Sequence, residues 1–160
     1  RHRRGDGIRA ARYRGVSEVP RWGVGDELRE RELPPVDRMR LIKYAGASGD
    51  FNPIHLIDEA AEDAGLPGII AHGMLTVATM SLIFSPYLKH GYVKAFSSRF
   101  SGMVFLGDIL RVGGRVSGLE ETSEGRLYTF EVYARRDEDT IASGELGFLV
   151  HIDRNDSHRD

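Results

Sequence analysis

The sequence contains no cysteine among its 160 residues. The chain therefore has no disulfide, no thiolate zinc site, no iron–sulfur cluster and no cysteine nucleophile. It also lacks an excess of positive charge, because 22 Lys and Arg residues stand against 24 Asp and Glu residues. That balance supplies no overall basic field, so we expect no nucleic acid partner. The absence of cysteine fits a reducing compartment, and we expect a cytoplasmic protein.

A hydrophobic run long enough to cross a membrane is missing as well. The most apolar stretch, residues 71–88, reads "AHGMLTVATMSLIFSPYL", and it is nearly continuously apolar or small only from Met74 to Phe84. A membrane-spanning helix takes about 20 apolar residues. A shorter helix with apolar residues on every face is expected to be buried on all sides within a folded domain. We therefore expect no membrane partner.

The composition is typical of one globular domain, with 41% apolar and 29% charged residues. We place that domain at residues 21–152. Residues 1–20 are expected to form a basic, disordered tail, because the first 15 residues hold six arginines and one acid. An arginine-rich, acid-poor start is also typical of a transit peptide, which is the alternative. Residues 153–160 are expected to be a polar tail.

The first half of the domain is predicted to hold one strand and three helices. The segment "GDELRERELP", residues 25–34, reads as a short strand that the following prolines end. Asp37 is a suitable N-cap for a helix over 38–46, which Gly46 and Gly49 would end. The apolar members of this helix are Met39, Leu41, Ile42 and Tyr44. A small helix near 58–65 and the apolar helix follow.

The second half changes to a period of two, which indicates strands. Apolar residues alternate with polar ones over 128–134 and small residues over 142–150, and two further strands are plausible at 92–100 and 108–116. The segment "EETSEG", residues 120–125, reads as a hairpin turn. Gly113-Gly114 is predicted to mark a bulge or bend. The sequence thus predicts an α+β fold in which an antiparallel sheet wraps around the long apolar helix.

The segment "GASGDFNPIH", Gly46–His55, places a carboxylate and an imidazole on one loop. Fully extended, five residues would separate Asp50 from His55 by well over 10 Å. Gly49 and Pro53 permit a tight turn that brings the two side chains together. Asn52 is suited to bonding the backbone of the same loop, and we also expect it to contribute to substrate binding. We expect Asp50 and His55 to act on one shared water.

Two motifs carry a resemblance to a known family. The chain resembles the MaoC-like dehydratases, (R)-specific enoyl-thioester hydratases of the hot-dog fold, through "YAGASGDFNPIH" at Tyr44–His55 and "AHGML" at Ala71–Leu75. The segment "GMVFLGDILRV", residues 102–112, is similar to the return strand of that family. The resemblance covers roughly residues 22–150.

The resemblance implies roles for particular residues. Asp50 and His55 become the catalytic acid and base, and the backbone N–H of Gly73 becomes the oxyanion contact. Ser81 matches a serine found further along the same helix in several members of the family. His72 is expected to be structural. The start of a helix suits an oxyanion independently, because its first N–H groups lack internal partners and favour negative charge.

The expected activity is hydration of enoyl thioesters of coenzyme A or acyl carrier protein, or the reverse dehydration. We expect no metal and no cofactor. The histidines outside the two motifs form no metal-ligand spacing. A thioesterase on the same fold is the main alternative, and the active subunit of a heterodimeric dehydratase is another. The resemblance implies sheets paired edge to edge, so we expect a homodimer, with a heterodimer of related hot-dog subunits as the alternative. A catalytically inert partner subunit would be expected to lack the Asp50 and His55 pair.

Overall fold

The computed structural model describes residues 17–151. The predicted tail over 153–160, and the first 16 residues of the predicted tail over 1–20, lie outside this range. Val19 packs against the core, so that packing begins two residues before the predicted start of the domain. Within the described range, no helix is both long and apolar enough to cross a membrane.

The elements follow the predicted order. The first strand, β1, spans Glu27–Glu32 and is followed by helix α1 over Arg38–Ser48 and a 3₁₀ turn over Pro53–His55. Helix α2 spans Asp58–Asp63, and helix α3 spans Gly73–Ser81 and continues as a 3₁₀ helix over Leu82–Tyr87. The remaining strands are β2 (Gly91–Phe100), β3 (Arg111–Glu121), β4 (Gly125–Arg136) and β5 (Asp139–His151).

All five strands form one antiparallel sheet with the order β1-β3-β4-β5-β2. The predicted hairpin turn at 120–125 joins β3 to β4. The predicted alternation is confirmed on β4, where Tyr128, Phe130, Val132 and Ala134 are all buried. These side chains point to the face of the sheet that α3 covers. The predicted hot-dog architecture, a sheet wrapped around a central helix, is therefore what the chain adopts.

Aromatic rings form the centre of the core, where α3 runs into the 3₁₀ helix. Phe84 is fully buried, and its ring lies 4.9 Å from that of Phe130 and 5.5 Å from that of Phe148. Trp22 packs edge-on against Phe130 at 5.2 Å and closes this end of the core. Burial of each such ring contributes about 1.5–3 kcal/mol, so this cluster fixes the helix on the sheet.

The prediction that the apolar helix is buried on all sides is wrong for the single chain. Thr76, Val77 and Met80 are buried, whereas Met74 is 59% exposed and Ala78 is exposed. Residues four apart share one face of a helix. Met74 and Ala78 therefore form a stripe opposite the sheet, and a single helix layer leaves that stripe uncovered.

The apolar pattern of α1 also differs from the prediction. In α1 only Leu41 and Ala45 are buried, whereas Met39 and Ile42 are about half exposed. The helix lies at the surface and presents only one narrow stripe to the core. It also continues through Gly46 to Ser48, two residues beyond the predicted end.

The bulge predicted at Gly113-Gly114 is present in the pairing with β1, where the register shifts between Leu28 and Arg31, opposite Gly113. The β3 strand shifts register further along, between Val116 and Gly118. A Cβ on Gly113 would lie 2.4 Å from the hydroxyl oxygen of Tyr133 on the neighbouring strand. Gly113 thus leaves room for the Tyr133 ring. The predicted strand over 108–116 starts only at Arg111, because the Asp108 carboxylate accepts a hydrogen bond from the Phe105 N–H at 2.8 Å and closes a turn there.

Candidate active site

The loop that carries Asp50 begins where α1 ends. Gly49 ends the helix with φ 76°, a left-handed conformation that glycine adopts without steric cost. The Ser48 hydroxyl accepts a hydrogen bond from the Asp50 N–H at 3.2 Å. The Asp50 carboxylate accepts one from the Asn52 N–H at 3.2 Å. These local bonds turn the chain sharply and leave the second carboxylate oxygen of Asp50 free to face His55.

The next turn places His55. The Asn52 side chain accepts a hydrogen bond from the Ile54 N–H at 3.3 Å and so caps the 3₁₀ turn Pro53–His55. Pro53 occupies the start of this turn, where its fixed φ suits the helical conformation. The predicted bond between Asn52 and its own loop is therefore present. A direct contact between Asn52 and substrate stays a prediction.

Asp50 and His55 face one another across a short gap. The distance between Asp50 Oδ2 and His55 Nε2 is 4.0 Å. A direct hydrogen bond needs about 2.7–3.2 Å, but a water lying about 2.8 Å from each atom would contact both. The Asp50 side chain is half exposed, whereas that of His55 is 10% exposed. The pair therefore lies at the surface with the imidazole held in the wall of the site.

A backbone carbonyl fixes the proton on His55. His55 Nδ1 lies 2.8 Å from the carbonyl oxygen of Ile70. Because a carbonyl only accepts, Nδ1 carries the hydrogen, and in the neutral ring Nε2 presents its lone pair towards Asp50. Sequence reasoning missed Ile70, since a main-chain oxygen leaves no signal in the residue type.

His72 lies directly behind the pair. It precedes the first residue of α3, is 1% exposed, and stacks on the ring of His55 at 4.0 Å between ring centroids. Its Nε2 lies 3.0 Å from the backbone carbonyl oxygen of Asp50 and therefore donates to it. This matches the structural role expected for His72. Its Nδ1 is buried and has no hydrogen-bond partner among residues 17–151, at a cost of about 1–3 kcal/mol.

Asp50, His55 and His72 form a cluster of candidate metal ligands whose donor atoms lie within 4.8 Å of one another. Two of the imidazole nitrogens already donate to carbonyl oxygens. The arrangement suits hydrogen bonding to water better than binding a metal. The expectation of no metal stays a prediction.

Gly73 and Ser81 lie at opposite ends of α3. Gly73 is the first residue of the helix, where an N–H has no partner one turn back. An ideal Cβ on Gly73 would come within 3.1 Å of the Phe100 ring. Ser81 is eight residues further on, about 12 Å along the axis, and its hydroxyl donates to the Ala78 carbonyl at 2.7 Å. The two residues therefore do not share one ligand atom, and a role for Ser81 stays a prediction.

An arginine that the sequence analysis did not single out stabilises the turn that carries His55. Arg38, the first residue of α1, donates to the carbonyl oxygen of Leu56 at 2.8 Å. It also forms an ion pair with the Asp58 carboxylate at 2.7 Å. Because Leu56 directly follows His55, Arg38 ties the start of α1 to the end of the turn that carries the imidazole.

Comparison with known proteins identifies the family. Residues 23–136 match the family described as "MaoC like domain", which is more than half of the chain. The chain belongs to the MaoC-like domain family. The matched range includes β1 to β4, both sequence motifs and the Asp50 and His55 pair.

One relative of this MaoC-like protein is a mitochondrial 3-hydroxyacyl-[acyl-carrier-protein] dehydratase of Arabidopsis thaliana. It is 28% identical over 129 residues, which cover 79% of this chain and 76% of the relative. Fatty acid synthase beta subunits from fungi also match, and this chain spans only 4–5% of the length of the two from Cochliobolus carbonum and Aspergillus oryzae. Domains similar to this chain therefore occur both in a relative of comparable length and within far longer proteins.

Solved structures confirm the fold. The R-hydratase PhaJ1 from Pseudomonas aeruginosa superposes with a TM-score of 0.71 at 26% identity, covering 82% of this chain and 84% of that one. The ChsH1-ChsH2 complex from Mycobacterium tuberculosis superposes with a TM-score of 0.69 at 19% identity, covering 81% of this chain and 98% of that one. At that identity the second likeness concerns the fold alone. The hot-dog architecture thus occurs in an assembly of two different chains.

Proposed function

We propose that this MaoC-like protein is an (R)-specific hydratase of trans-2-enoyl thioesters that also dehydrates (3R)-hydroxyacyl thioesters. The observation that carries the proposal is the 4.0 Å gap between Asp50 Oδ2 and His55 Nε2. Both atoms can contact one water, and the hydrogen bond from His55 to Ile70 leaves Nε2 able to accept a proton. The names of the dehydratase and R-hydratase relatives support the same reaction.

In the proposed reaction, the Asp50 and His55 pair takes up one proton and later returns one. The pair takes one proton from the shared water while the water oxygen forms a bond to C3 of the enoyl group. The electron pair of the C2–C3 double bond moves towards the thioester carbonyl, whose oxygen gains negative charge. The pair then returns one proton to C2 and ends in its starting state. General acid–base catalysis of this kind contributes typically 10²–10⁴-fold in rate. The reaction moves only water and protons, so the proposal includes no redox cofactor and no metal.

The charge on the thioester oxygen needs a donor that is in place beforehand. In the proposal the Gly73 N–H supplies it, because the first N–H groups of a helix are unpaired and the helix dipole favours negative charge there. The core packing of α3 supports this role, since Thr76 and Met80 anchor the helix on the sheet. A fixed donor costs no reorganisation during the reaction.

The proposed substrate carrier is coenzyme A or acyl carrier protein. A small cavity of about 10 Å³ lies beside the start of α3, between Leu75, Thr76 and Leu110. That volume holds about one water. An acyl chain entering there would have to displace side chains, and Leu75 is only partly buried.

Crotonyl-CoA tests the reaction. Loss of the conjugated enoyl-thioester absorbance without release of free thiol supports a hydratase, whereas thiol release indicates a thioesterase on the same fold. Coupling the product to an (S)-specific 3-hydroxyacyl-CoA dehydrogenase and NAD⁺ tests the stereochemistry. We expect no NADH from that coupling, and rapid NADH formation would contradict the (R) assignment.

The proposed assembly is a homodimer in the cytoplasm. β2 ends the sheet, and its residues 97–100 are exposed along a strand edge that a second copy would pair. Three large apolar side chains near the site are also exposed: Phe51, Met74 and Phe100. A closed two-fold contact would cover both features. Pairing with a related hot-dog subunit, with this chain as the active half, is the alternative, and mass measurement of the purified assembly distinguishes the two.

A further inference from the structure

We propose that His72 is a positioning residue that holds Asp50 and His55 in register with one another. This inference rests on the proposed function of that pair. His72 contacts both members at once, since its Nε2–H donates to the backbone of Asp50 at 3.0 Å and its ring stacks on His55 at 4.0 Å. It is 1% exposed and its Nε2–H is engaged with the Asp50 carbonyl, so the proposal gives it no role as an acid or base.

The Asp50 side of the contact fixes an exposed loop. Residues 49–53 are all exposed, so few packing contacts hold them. Asp50 receives support from the loop itself through the Ser48 hydroxyl, which accepts from its N–H. The His72 bond is different in kind, because it comes from a buried residue 22 positions away at the start of α3. It thereby ties the carboxylate to the helix that carries Gly73.

The His55 side of the contact limits rotation of the imidazole. The Nδ1–H bond to Ile70 holds the ring at one atom, so the ring can still swing a little out of its own plane. The flat face of His72, at 30° to the ring of His55, closes one side of that swing. Tyr44 in turn packs against His72 at 4.9 Å. The lone pair on Nε2 is thus directed at the gap that Asp50 faces.

The unpaired Nδ1 of His72 argues against simple packing. A phenyl ring would fill a similar volume without burying an unsatisfied nitrogen. What an imidazole adds is one N–H and a flat face in the same residue. The inference therefore predicts that neither property alone replaces His72.

Two substitutions separate the two contacts. His72→Phe keeps a flat ring behind His55 and removes the bond to Asp50, whereas His72→Gln keeps an N–H donor and removes the ring. We expect His72→Phe to lower kcat roughly 10- to 100-fold, the scale of a misplaced catalytic group, with KM little changed. His72→Gln should lose less. The matched control is Val116→Ala, a buried change on β3 that should lower Tm and leave kcat per folded molecule unchanged.

A double-mutant cycle tests whether His72 acts through Asp50. If it does, His72→Phe should slow the Asp50→Asn variant by less than about twofold, because coupled residues are not additive. Full additivity would overturn the proposal. So would wild-type kcat in both His72 variants, or a fall in Tm with kcat per folded molecule unchanged.

A measurement without substrate keeps the placement separate from the proposed function. Long-range ¹H–¹⁵N correlations of the histidine rings report which nitrogen carries the hydrogen. We expect hydrogen on Nδ1 of His55 and on Nε2 of His72. A hydrogen on Nδ1 of His72 and none on Nε2 would overturn the proposal, since that tautomer cannot donate to Asp50. Wild-type protein that shows these tautomers but hydrates no enoyl thioester would refute the proposed reaction while leaving the placement of His72 intact.

Discussion

The substitution Gly73→Val separates the oxyanion role of this residue from a packing role. A side chain at Gly73 leaves the backbone N–H in place but fills the space in front of it. The first atom of that side chain, an ideal Cβ, already lies 3.1 Å from Cζ of Phe100 and 3.4 Å from Cε1. In the proposed mechanism, the branched side chain would crowd a thioester carbonyl that approaches the N–H.

The expected change in stability is small. Gly73 does not have a positive φ, so its backbone conformation is open to other residues. Glycine is itself about 1 kcal/mol less favourable than alanine in a helix, and valine is no worse than glycine. Phe100 is 48% exposed, so its ring can move aside. The free energy of unfolding should therefore change by less than about 1 kcal/mol.

The expected change in rate is large. Loss of one oxyanion donor typically costs about 2.7–4 kcal/mol in the barrier, or 10²–10³-fold in kcat. Gly73→Ala should give a smaller loss, since one methyl group crowds the carbonyl less. Gly46→Ala is the matched control, because Gly46 lies in α1 with nothing within 4 Å of an added Cβ. That control should retain its activity and gain slightly in Tm.

Steady-state kinetics with crotonyl-CoA and thermal unfolding on one preparation decide between the roles. A large fall in Tm with an unchanged rate per folded molecule would refute the oxyanion assignment of Gly73. The double variant Gly73→Val with Phe100→Ala removes the contact to the ring. If activity returns in that variant, displacement of the ring and not crowding of the N–H was the cause.

The remaining predictions concern the catalytic pair, its support, the assembly and alkaline stability. Asp50→Asn and His55→Ala should each lower kcat at least about 100-fold in folded protein, as expected for a positioned acid or base, and near-normal turnover by Asp50→Asn would disprove the mechanism. Arg38→Met should lower kcat roughly tenfold by loosening the turn after His55, since a hydrogen bond from a charged group is worth about 1.5–3 kcal/mol. The control Arg115→Met removes an ion pair of 3.0 Å elsewhere on the sheet and should leave kcat unchanged. Equal effects of the two substitutions would contradict the argument. Light scattering at micromolar concentration should give the mass of a dimer, and a monomer mass would count against the proposed assembly. Burial and the hydrogen bond to Glu30 raise the pKa of Tyr133. The protonated Tyr133 side chain should therefore contribute fully to stability below about pH 10, the pKa of an unfolded tyrosine. That contribution should be lost as the pH rises through the pKa of Tyr133 in the folded protein. Tyr133→Phe should reduce that alkaline loss in urea titrations, and an unchanged pH dependence would show that Tyr133 is not its source.

The sequence predicted those parts of the fold and site that depend on neighbours in the chain. Alternation along β4 and β5 places apolar residues on one face whatever the partner strand is, and the hairpin turn at 120–125 lies between two such runs. The Asp50 and His55 loop is equally local. Gly49, Asn52 and Pro53 shape it through bonds that span only a few residues.

The contacts that the sequence did not reveal join distant parts of the chain. Arg38 and Leu56 are 18 residues apart, His55 and Ile70 are 15 apart, and the bonds depend on backbone carbonyls that any residue possesses. No residue type marks such an oxygen as an acceptor. Gly113 is similar, because its missing side chain makes room for the Tyr133 ring on the neighbouring strand, and that contact joins residues 20 positions apart.

The error over α3 has a different origin, and it bears on the proposed assembly. An apolar helix face predicts that contact with water is unfavourable there, but it does not predict whether the same chain or a second chain covers that face. In the single chain Met74 remains 59% exposed on the stripe it shares with Ala78, and Phe51 and Phe100 are exposed near the same end of the helix. Single apolar residues on a surface are ordinary, whereas several around one candidate site indicate a contact. The pattern that predicted burial on all sides would therefore hold in the proposed homodimer, where a second chain covers the face that the sheet does not reach.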